Sequence, residues 1–185
     1  MWKKTSFAAV AAVAALSVVP AAPANAAVTV KIYQGYGAYL TESDHAFQCP
    51  TNEVLIGREH YGDENGITGY TCGRVYIDGE QITVMKFPLG DAMKESDSFF
   101  SAPENNAIVG RRHKGDENGT TTYYYGTLFW KGRVVRLTSR GWTIPLVESH
   151  HASMAGAVEV MTGRRHSGDE NGDTAYEYGT VTLDG

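Results

Sequence analysis

The sequence predicts an all-β protein, a single domain of three 53-residue repeats in a threefold pseudo-symmetric arrangement of the β-trefoil or β-prism type. The run GRRHKGDENG at Gly110 returns as GREHYGDENG at Gly57 and as GRRHSGDENG at Gly163, so the copies start 53 residues apart. Segments rich in Val, Ile, Thr and Tyr surround each copy, with frequent Gly and no helical periodicity. Three copies that fill one domain favour a closed arrangement, because closure leaves few free sheet edges.

Residues 1–26 have the order of a secretory signal peptide. Two lysines precede an apolar stretch, and the small-residue sequence ANA at 24–26 forms a cleavage site of the A-x-A type. We therefore expect cleavage before Ala27 and a secreted, extracellular protein. No later segment approaches the roughly 18 apolar residues of a membrane span, so we expect no membrane insertion. Residues 27–185 number 159, which is three times the repeat length.

Composition limits the partners of the protein. The chain of 185 residues has 16 basic and 21 acidic side chains. The predicted signal peptide holds two of the lysines and no acid, so the mature chain carries a net charge of −7. Nucleic acids and anionic membranes are bound by basic patches, and we therefore expect neither as a partner. A mature chain of about 160 residues is long enough for one well-buried domain.

The three repeats, residues 27–79, 80–132 and 133–185, share one order of segments. Each opens with a β-rich run, followed by a Glu-Ser pair, a short apolar run, the decapeptide and a Thr-x-Tyr strand. We expect three or four short strands in each repeat, about nine to twelve in all. The Gln-x-Trp signature common in sugar-binding trefoils is absent, and the sequence leaves the trefoil and the prism as alternatives.

Each decapeptide predicts a β-hairpin. It ends in Gly-Asp-Glu-Asn-Gly, and Asn-Gly is a strong turn signal because both residues tolerate positive φ. Strand alternation puts Arg58 and His60 on one face of the incoming strand, and Thr68 and Tyr70 on one face of the outgoing strand. The residues between them vary among the copies, so one face is repeated identically. Beyond Gly73 the apolar positions change side, which predicts a β-bulge at this glycine.

A repeated polar face of this kind suits a polyhydroxylated ligand. Asp, Glu and Asn accept or bridge vicinal hydroxyl groups, and Arg offers a rigid fork of donors. His or Thr adds a further contact, and Tyr presents an apolar ring to the C–H face of a sugar. Three such pockets on one rigid body raise avidity by factors of about 10² or more on a multivalent surface. The sequence therefore predicts three shallow carbohydrate sites.

Other interpretations of the motif remain open. Arg and Asp could pair with each other and brace the hairpin, and His could be a hydrogen-bonded strut. Glu64 and its copies are the least necessary to a turn, and are the best local sign of binding. Calcium is an alternative, although the spacing is not that of an EF-hand loop. Zinc is less favoured, because each copy holds one motif His, and so no metal ligand and no cofactor are predicted.

Catalysis is not expected. An Asp–Glu pair could serve a glycosidase, which needs carboxyl groups separated by about 5 to 9 Å. An enzyme would need one copy with a unique acid, base or nucleophile, and the copies show no such difference. The two cysteines, Cys49 and Cys72, are predicted to form one disulfide in an exported chain. The repeated pair Glu42-Ser43 is interpreted as structural.

The repeated GRxHxGDENG followed by TxY resembles the tandem motif of small secreted actinobacterial lectins of the Streptomyces hemagglutinin type. The resemblance covers the mature chain through its three repeats. It implies carbohydrate binding without catalysis, with terminal deoxyhexose or galactose-type sugars on extracellular or cell-surface glycans as the expected partners. In the first copy, Cys72 and Arg74 stand where the other copies have Tyr and Thr, which puts the equivalence of that site in doubt.

The predicted sugar-binding residues comprise six positions in each copy. Arg, His, Asp, Glu and Asn are carried over from the resemblance, and Tyr is added from the repeated face. They are Arg58, His60, Asp63, Glu64, Asn65 and Tyr70, then Arg111, His113, Asp116, Glu117, Asn118 and Tyr123, and finally Arg164, His166, Asp169, Glu170, Asn171 and Tyr176.

A second function class is an interaction module without carbohydrate binding, such as an inhibitor of an extracellular hydrolase. An inhibitor would act through one exposed and unique loop. The sequence offers two candidates, SAPENNA at Ser101 and QGYGAYL at Gln34.

Overall fold

The computed structural model describes Trp2 and residues 28–183, and within these residues the fold is all-β. The predicted all-β class is thereby confirmed. The predicted signal peptide and its cleavage site, apart from Trp2, lie outside the described residues. In the part that the structure describes, no helix is long and apolar enough to cross a membrane.

Sixteen strands are formed by the described residues. Four of them have only two residues, and the twelve longer ones equal the upper limit of the predicted number. The strands are β1 Val30–Thr41, β2 Asp44–Gln48, β3 Glu53–Tyr61, β4 Ile67–Ile77, β5 Glu80–Gln81, β6 Thr83–Lys86, β7 Met93–Lys94, β8 Asp97–Ser101, β9 Asn106–Lys114, β10 Thr120–Trp130, β11 Arg133–Val134, β12 Arg136–Trp142, β13 Leu146–Val147, β14 His150–Met154, β15 Glu159–Ser167 and β16 Asp173–Thr182.

The strands form three antiparallel sheets, each built on one long hairpin. These hairpins, β3–β4, β9–β10 and β15–β16, are the ones that the decapeptides predict. The first strand of each hairpin also pairs with a short strand from a distant part of the chain: β14 pairs with β3, β2 with β9, and β8 with β15. Each sheet is therefore completed by residues that lie far away in sequence.

Strand β3 shows how the burial pattern changes along a hairpin. Its first half is buried on both faces, since Val54 belongs to one apolar cluster and Leu55 to the other. In the second half the faces separate: Arg58 and His60 are buried, whereas Tyr61 is exposed. The prediction that Arg58 and His60 share a face is confirmed, and that face is the interior one.

Two apolar clusters make up the core. The first is aliphatic and contains Val75, Ile77, Leu128 and Val181. The second is rich in aromatic side chains and contains Tyr70, Tyr123, Tyr176 and the disulfide between Cys49 and Cys72, a pairing that the sequence predicted. One face of the first half of β4 packs in the aromatic cluster, and the opposite face of its second half packs in the aliphatic cluster. This explains why the apolar positions change side along the strand.

The bulge expected at Gly73 lies in the neighbouring strands. Strand β3 carries one extra residue between Leu55 and Gly57, and β1 carries one extra residue between Gln34 and Gly37. The expectation for Gly73 was wrong, because β4 itself has no extra residue there: Gly73 pairs with Gln34 of β1 and with Val54 of β3. Packing explains the glycine instead. A Cβ atom at this position would lie 2.5 Å from Cγ2 of Ile56.

Candidate functional site

The three predicted turns have the same internal hydrogen bonds. In the first turn, Asn65 N donates to Oδ1 of Asp63 (2.8 Å), and Asn65 Nδ2 donates to Oε1 of Glu64 (3.1 Å). Asn118 and Asn171 make the equivalent pairs of bonds in the other turns. The residue with positive φ is Gly62 (107°), whereas the sequence analysis expected it at Asn-Gly. Asp and Asn are thus partly used by the turn itself.

The predicted tyrosines lie beneath the surface. Tyr70, Tyr123 and Tyr176 are each no more than 2% exposed, so they offer no ring to a sugar outside the protein. Their hydroxyl groups instead accept hydrogen bonds from the motif arginines of other hairpins. Arg111 Nη1 donates to Tyr70 (3.2 Å), Arg164 Nη1 to Tyr123 (3.2 Å) and Arg58 Nη1 to Tyr176 (2.8 Å).

The predicted arginines form a closed ring of ion pairs with three glutamates. Each guanidinium contacts two carboxylates and each carboxylate contacts two guanidiniums, with N–O distances between 2.6 and 3.1 Å. All six side chains are buried, with 1% of each arginine and 7–8% of each glutamate exposed. The order around the ring is Arg58, Glu42, Arg111, Glu95, Arg164, Glu148 and back to Arg58.

Mutual charge stabilises the ring despite its burial. Burial alone would raise the pKa of Glu42, but the guanidiniums of Arg111 and Arg58 hold it well below its usual range. For Arg111, burial alone would lower the pKa, and the carboxylates of Glu42 and Glu95 raise it well above its usual value. The ring is therefore ionised at neutral pH, with three positive and three negative charges.

The motif histidines lie next to the ring. His60 Nε2 is 2.9 Å from the carbonyl oxygen of Gly62, and His113 and His166 make the same contact with Gly115 (2.8 Å) and Gly168 (3.0 Å). A carbonyl oxygen only accepts, so Nε2 of each imidazole is a donor. In His166, Nδ1 also faces a carbonyl oxygen, that of Asp173, at 3.2 Å. Burial, with the nearby arginines, lowers the pKa of His60 and His166.

A small cavity lies where the three turns meet. It offers about 40 Å³ to water-sized molecules, which is room for one or a few waters. Its lining residues are all ionisable, three histidines and nine acids. They are His60, His113, His166, Glu42, Glu95, Glu148, Asp63, Glu64, Asp116, Glu117, Asp169 and Glu170.

The predicted site residues thus fall into two sets. Arg, His and Tyr of each copy are buried, whereas the sequence analysis expected them on an open polar face. Asp63, Glu64 and Asn65 are exposed, and in the other copies Asp and Asn are exposed and Glu is half-buried. Only this second set is directly accessible to a ligand the size of a sugar.

Two further groups of residues belong to the site and were not predicted to do so. Glu42 and its two equivalents hold the arginines. His45 and His151 donate from Nδ1 to backbone carbonyl oxygens, and their Nε2 atoms accept from the buried tyrosine hydroxyls at 2.7 and 2.6 Å. The repeated Glu-Ser pair was the available signal for the glutamates. It gave no indication that each carboxylate would pair with arginines of two different hairpins.

A second cavity, of about 290 Å³, lies beside strands β8 and β16. Phe99, which is 62% exposed, lines it, and its ring centroid is 5.3 Å from that of Trp142. The guanidinium of Arg165 lies over the Trp142 ring at 5.2 Å. The other hairpins have Ala46 opposite Arg112 and Ala152 opposite Glu59, so this aromatic group occurs in one sheet.

In comparisons with known proteins, no family model matches the chain, and neither a curated protein nor a solved structure does so.

Proposed function

We propose that the protein is a secreted, non-catalytic carbohydrate-binding protein, a lectin of the hemagglutinin type that the motif resembles. Its contact surface consists of the exposed Asp-Glu-Asn turns, residues 63–65, 116–118 and 169–171. The observation that carries this proposal is that three turns with the same sequence and the same internal hydrogen bonds surround one mouth above the buried ion pairs. Extracellular glycans with terminal deoxyhexose or galactose-type sugars are the proposed partners.

The chemistry of the turns supports this proposal. A carboxylate accepts hydrogen bonds from two adjacent hydroxyls, and a side-chain amide both donates and accepts. Intramolecular hydrogen bonds fix the Glu64 carboxylate and the Asn65 amide relative to each other, which lowers the entropy lost on binding. The buried Arg and Tyr then act as supports that keep the turns in position.

The proposed arrangement of the three 53-residue units is threefold pseudo-symmetric, of the trefoil or prism type. Its support is the cyclic exchange of strands, in which β2 joins β9, β8 joins β15 and β14 joins β3. The alternating ring of Arg and Glu follows the same cycle. Such an arrangement gives three equivalent turns, and hence multivalent binding to a dense glycan surface.

The proposal predicts that Glu64→Gln, Glu117→Gln and Glu170→Gln together abolish agglutination in a folded protein. Glutamine keeps an acceptor for the asparagine amide of the turn, so folding is retained while the ligand loses a charged acceptor. A matched control is the triple variant Glu80→Gln, Asp91→Asn and Glu104→Gln, which removes three exposed charges elsewhere. Agglutination and circular dichroism of both variants are the measurements.

A glycan array run with and without a chelator tests the proposal directly. We expect binding to glycans with the named terminal sugars, unchanged by the chelator. An array without any bound glycan, or a charge-neutral triple variant that still agglutinates, would contradict the proposal.

The alternative function, inhibition of an extracellular hydrolase, has support from strand β1. Tyr33, Tyr36 and Tyr39 are 51%, 52% and 70% exposed, and the last two lie in the QGYGAYL segment. The SAPENNA loop has less support as a binding loop, because Oδ1 of Asn105 accepts a hydrogen bond from Leu137 N at 3.2 Å. Under this alternative, Tyr36→Ala would relieve inhibition of a secreted hydrolase, while the glutamate triple variant would not.

A further inference from the structure

We propose that the central cavity binds a divalent metal ion through the Nδ1 atoms of the motif histidines and the carboxylates next to them. The sequence predicts no metal ligand, because each copy holds a single motif histidine. The structure brings His60, His113 and His166 to one cavity.

Each imidazole is oriented as a metal-binding imidazole is. In proteins, a histidine that binds metal donates its other ring N–H to a carbonyl or a carboxylate, and this fixes the tautomer. Here Nε2 of all three histidines donates to a glycine carbonyl, at 2.8 to 3.0 Å. In His60 and His113, Nδ1 is therefore the ring nitrogen left for a metal ion, and it lies next to the ring of glutamates.

Acceptor atoms face each other across the cavity. His60 Nδ1 lies 3.8 Å from Oε2 of Glu42, and His113 Nδ1 lies 3.5 Å from Oε2 of Glu95. Neither nitrogen has a hydrogen-bond partner among the described residues, nor has Oε2 of Glu95, and these side chains are only 2 to 8% exposed. Buried acceptors without a partner are costly. A cation placed between them would satisfy both.

The third histidine differs in one contact. His166 Nδ1 lies 3.7 Å from Oε2 of Glu148, and also 3.2 Å from the carbonyl oxygen of Asp173. The structure therefore favours His113, Glu95 and Glu42 as the ligands, and their donor atoms lie within 4.8 Å of one another.

Charge favours a cation in this cavity. The three positive charges of the ring arginines balance the three negative charges of the ring glutamates. The acidic side chains of the turns therefore give the cavity a net negative charge. Six carboxylates line the mouth: Asp63, Glu64, Asp116, Glu117, Asp169 and Glu170. Convergent charges of one sign in a cleft raise the local concentration of the opposite ion.

The volume of the cavity and the types of its ligand atoms indicate which class of ion it would bind. Space for one or a few waters admits a metal ion but excludes an organic cation of appreciable size. Two ligands at about 2.0 to 2.2 Å from a tetrahedral Zn²⁺ lie roughly 3.4 Å apart. His113 Nδ1 and Glu95 Oε2, at 3.5 Å, already have this separation, and the Glu42 carboxylate, within 4.8 Å of them, would move closer on binding. Imidazole nitrogen with carboxylate oxygen suits Zn²⁺ and related transition ions better than Ca²⁺.

Equilibrium dialysis of the full mature chain against zinc chloride tests this proposal. We expect about one Zn²⁺ per chain, with His113→Gln weakening the binding roughly tenfold or more. Glutamine keeps a donor for the Gly115 carbonyl, and circular dichroism verifies the fold of the variant. His150→Gln is the matched control, since His150 is exposed on the edge strand β14 and makes only an edge-to-face ring contact with Tyr61 (72° between the ring planes).

A second measurement uses the wild-type chain alone. Loading with Cu²⁺ should give pulsed-EPR couplings to an imidazole nitrogen, and excess Zn²⁺ should remove them. Absence of stoichiometric Zn²⁺ binding, absence of the imidazole couplings, or equal binding by the His113→Gln and wild-type chains would each overturn the proposal. The inference does not rest on the proposed lectin function, because metal binding is measured without glycan and the array is read with a chelator present.

Discussion

Arg58, Arg111 and Arg164 are the residues on which the site depends most. Each is buried and pairs with two carboxylates, so each forms part of a closed network. A buried ion pair gains little net stability over a well-packed apolar pair, but removing one partner leaves the other charge buried without compensation. The ring therefore fixes how the three hairpins align. Replacing any one of its residues alone leaves an opposite charge buried without a partner.

Arg111→Met is expected to lower the free energy of unfolding by about 3–5 kcal/mol. The variant leaves Glu42 without its nearest guanidinium and Glu95 with that of Arg164 alone. Urea denaturation at pH 7 is the measurement. The neighbouring Arg112→Met is the control, because that side chain is exposed and its loss should change stability by less than about 0.5 kcal/mol. Equal effects of both substitutions would show that the ring has no special role.

Stability is expected to fall in two stages as the pH decreases. Burial first, and then nearby arginine, lowers the pKa of His45 and His151 to about 4. His45 faces Tyr70, Arg111, Glu42 and His113. The unfolded chain takes up these protons near pH 6.5, and the folded chain takes them up near pH 4. The contribution of the two neutral histidines to stability is therefore fully present above pH 6.5 and is lost as the pH falls from 6.5 to 4. The loss is on the order of 1–3 kcal/mol per histidine.

The ring glutamates cause the second stage. Because their pKa values are lowered in the folded protein, their contribution to stability is present above about pH 4.5 and is lost as the pH falls further.

Urea unfolding at pH 7, 5.5 and 4.5 measures the first stage, which the two histidines cause. In the third sheet, Ser98 pairs with His166 as His45 pairs with His113, so the double variant His45→Ser and His151→Ser is a natural test. Its stability should depend less steeply on pH between 6.5 and 4.5, and an unchanged slope would contradict the assignment.

At the scale of strands, glycine at Gly73 permits the two halves of β4 to serve different clusters. Gly73→Ala is expected to cost about 1–3 kcal/mol, because the added Cβ would meet Cγ2 of Ile56 at 2.5 Å and Cγ2 of Ile32 at 3.0 Å. Gly141→Ala in β12 is the control, since a Cβ there meets nothing within 4 Å. Thermal melts of the two variants distinguish them, and similar melting temperatures would exclude the packing explanation for Gly73.

The local sequence pattern correctly predicted the strands and hairpins. It did not predict which strand faces are buried and which meet solvent. The turn and the shared face of Arg58 and His60 follow from residue order, because alternation is a property of the strand itself. Whether that face meets solvent or the interior depends on how three hairpins converge, which no local pattern encodes. The Arg111–Glu42 contact spans 69 residues, so the sequence shows that Glu and Arg both recur in each repeat but not that they pair.

At the scale of the whole molecule, the exchange of strands makes each sheet dependent on the other parts of the chain. Without β14, the free side of β3 would be an unpaired edge, and without Glu148 the guanidinium of Arg58 would keep only Glu42. Cores that share residues in this way unfold as one unit. We therefore expect a single cooperative transition, with calorimetric and van't Hoff enthalpies that agree.

The fragment 28–132 should fail to fold alone for the same reason. It lacks β14, so β3 loses one neighbour, and it lacks Arg164 and Glu148, so the ring is open. Two-dimensional NMR of the fragment should show poorly dispersed amide signals, and addition of the fragment 133–183 should restore dispersion by supplying both β14 and the missing ring residues. A fragment 28–132 that folds independently would mean that the exchanged strand and the closed ring are not required, and that stability resides within the separate hairpins.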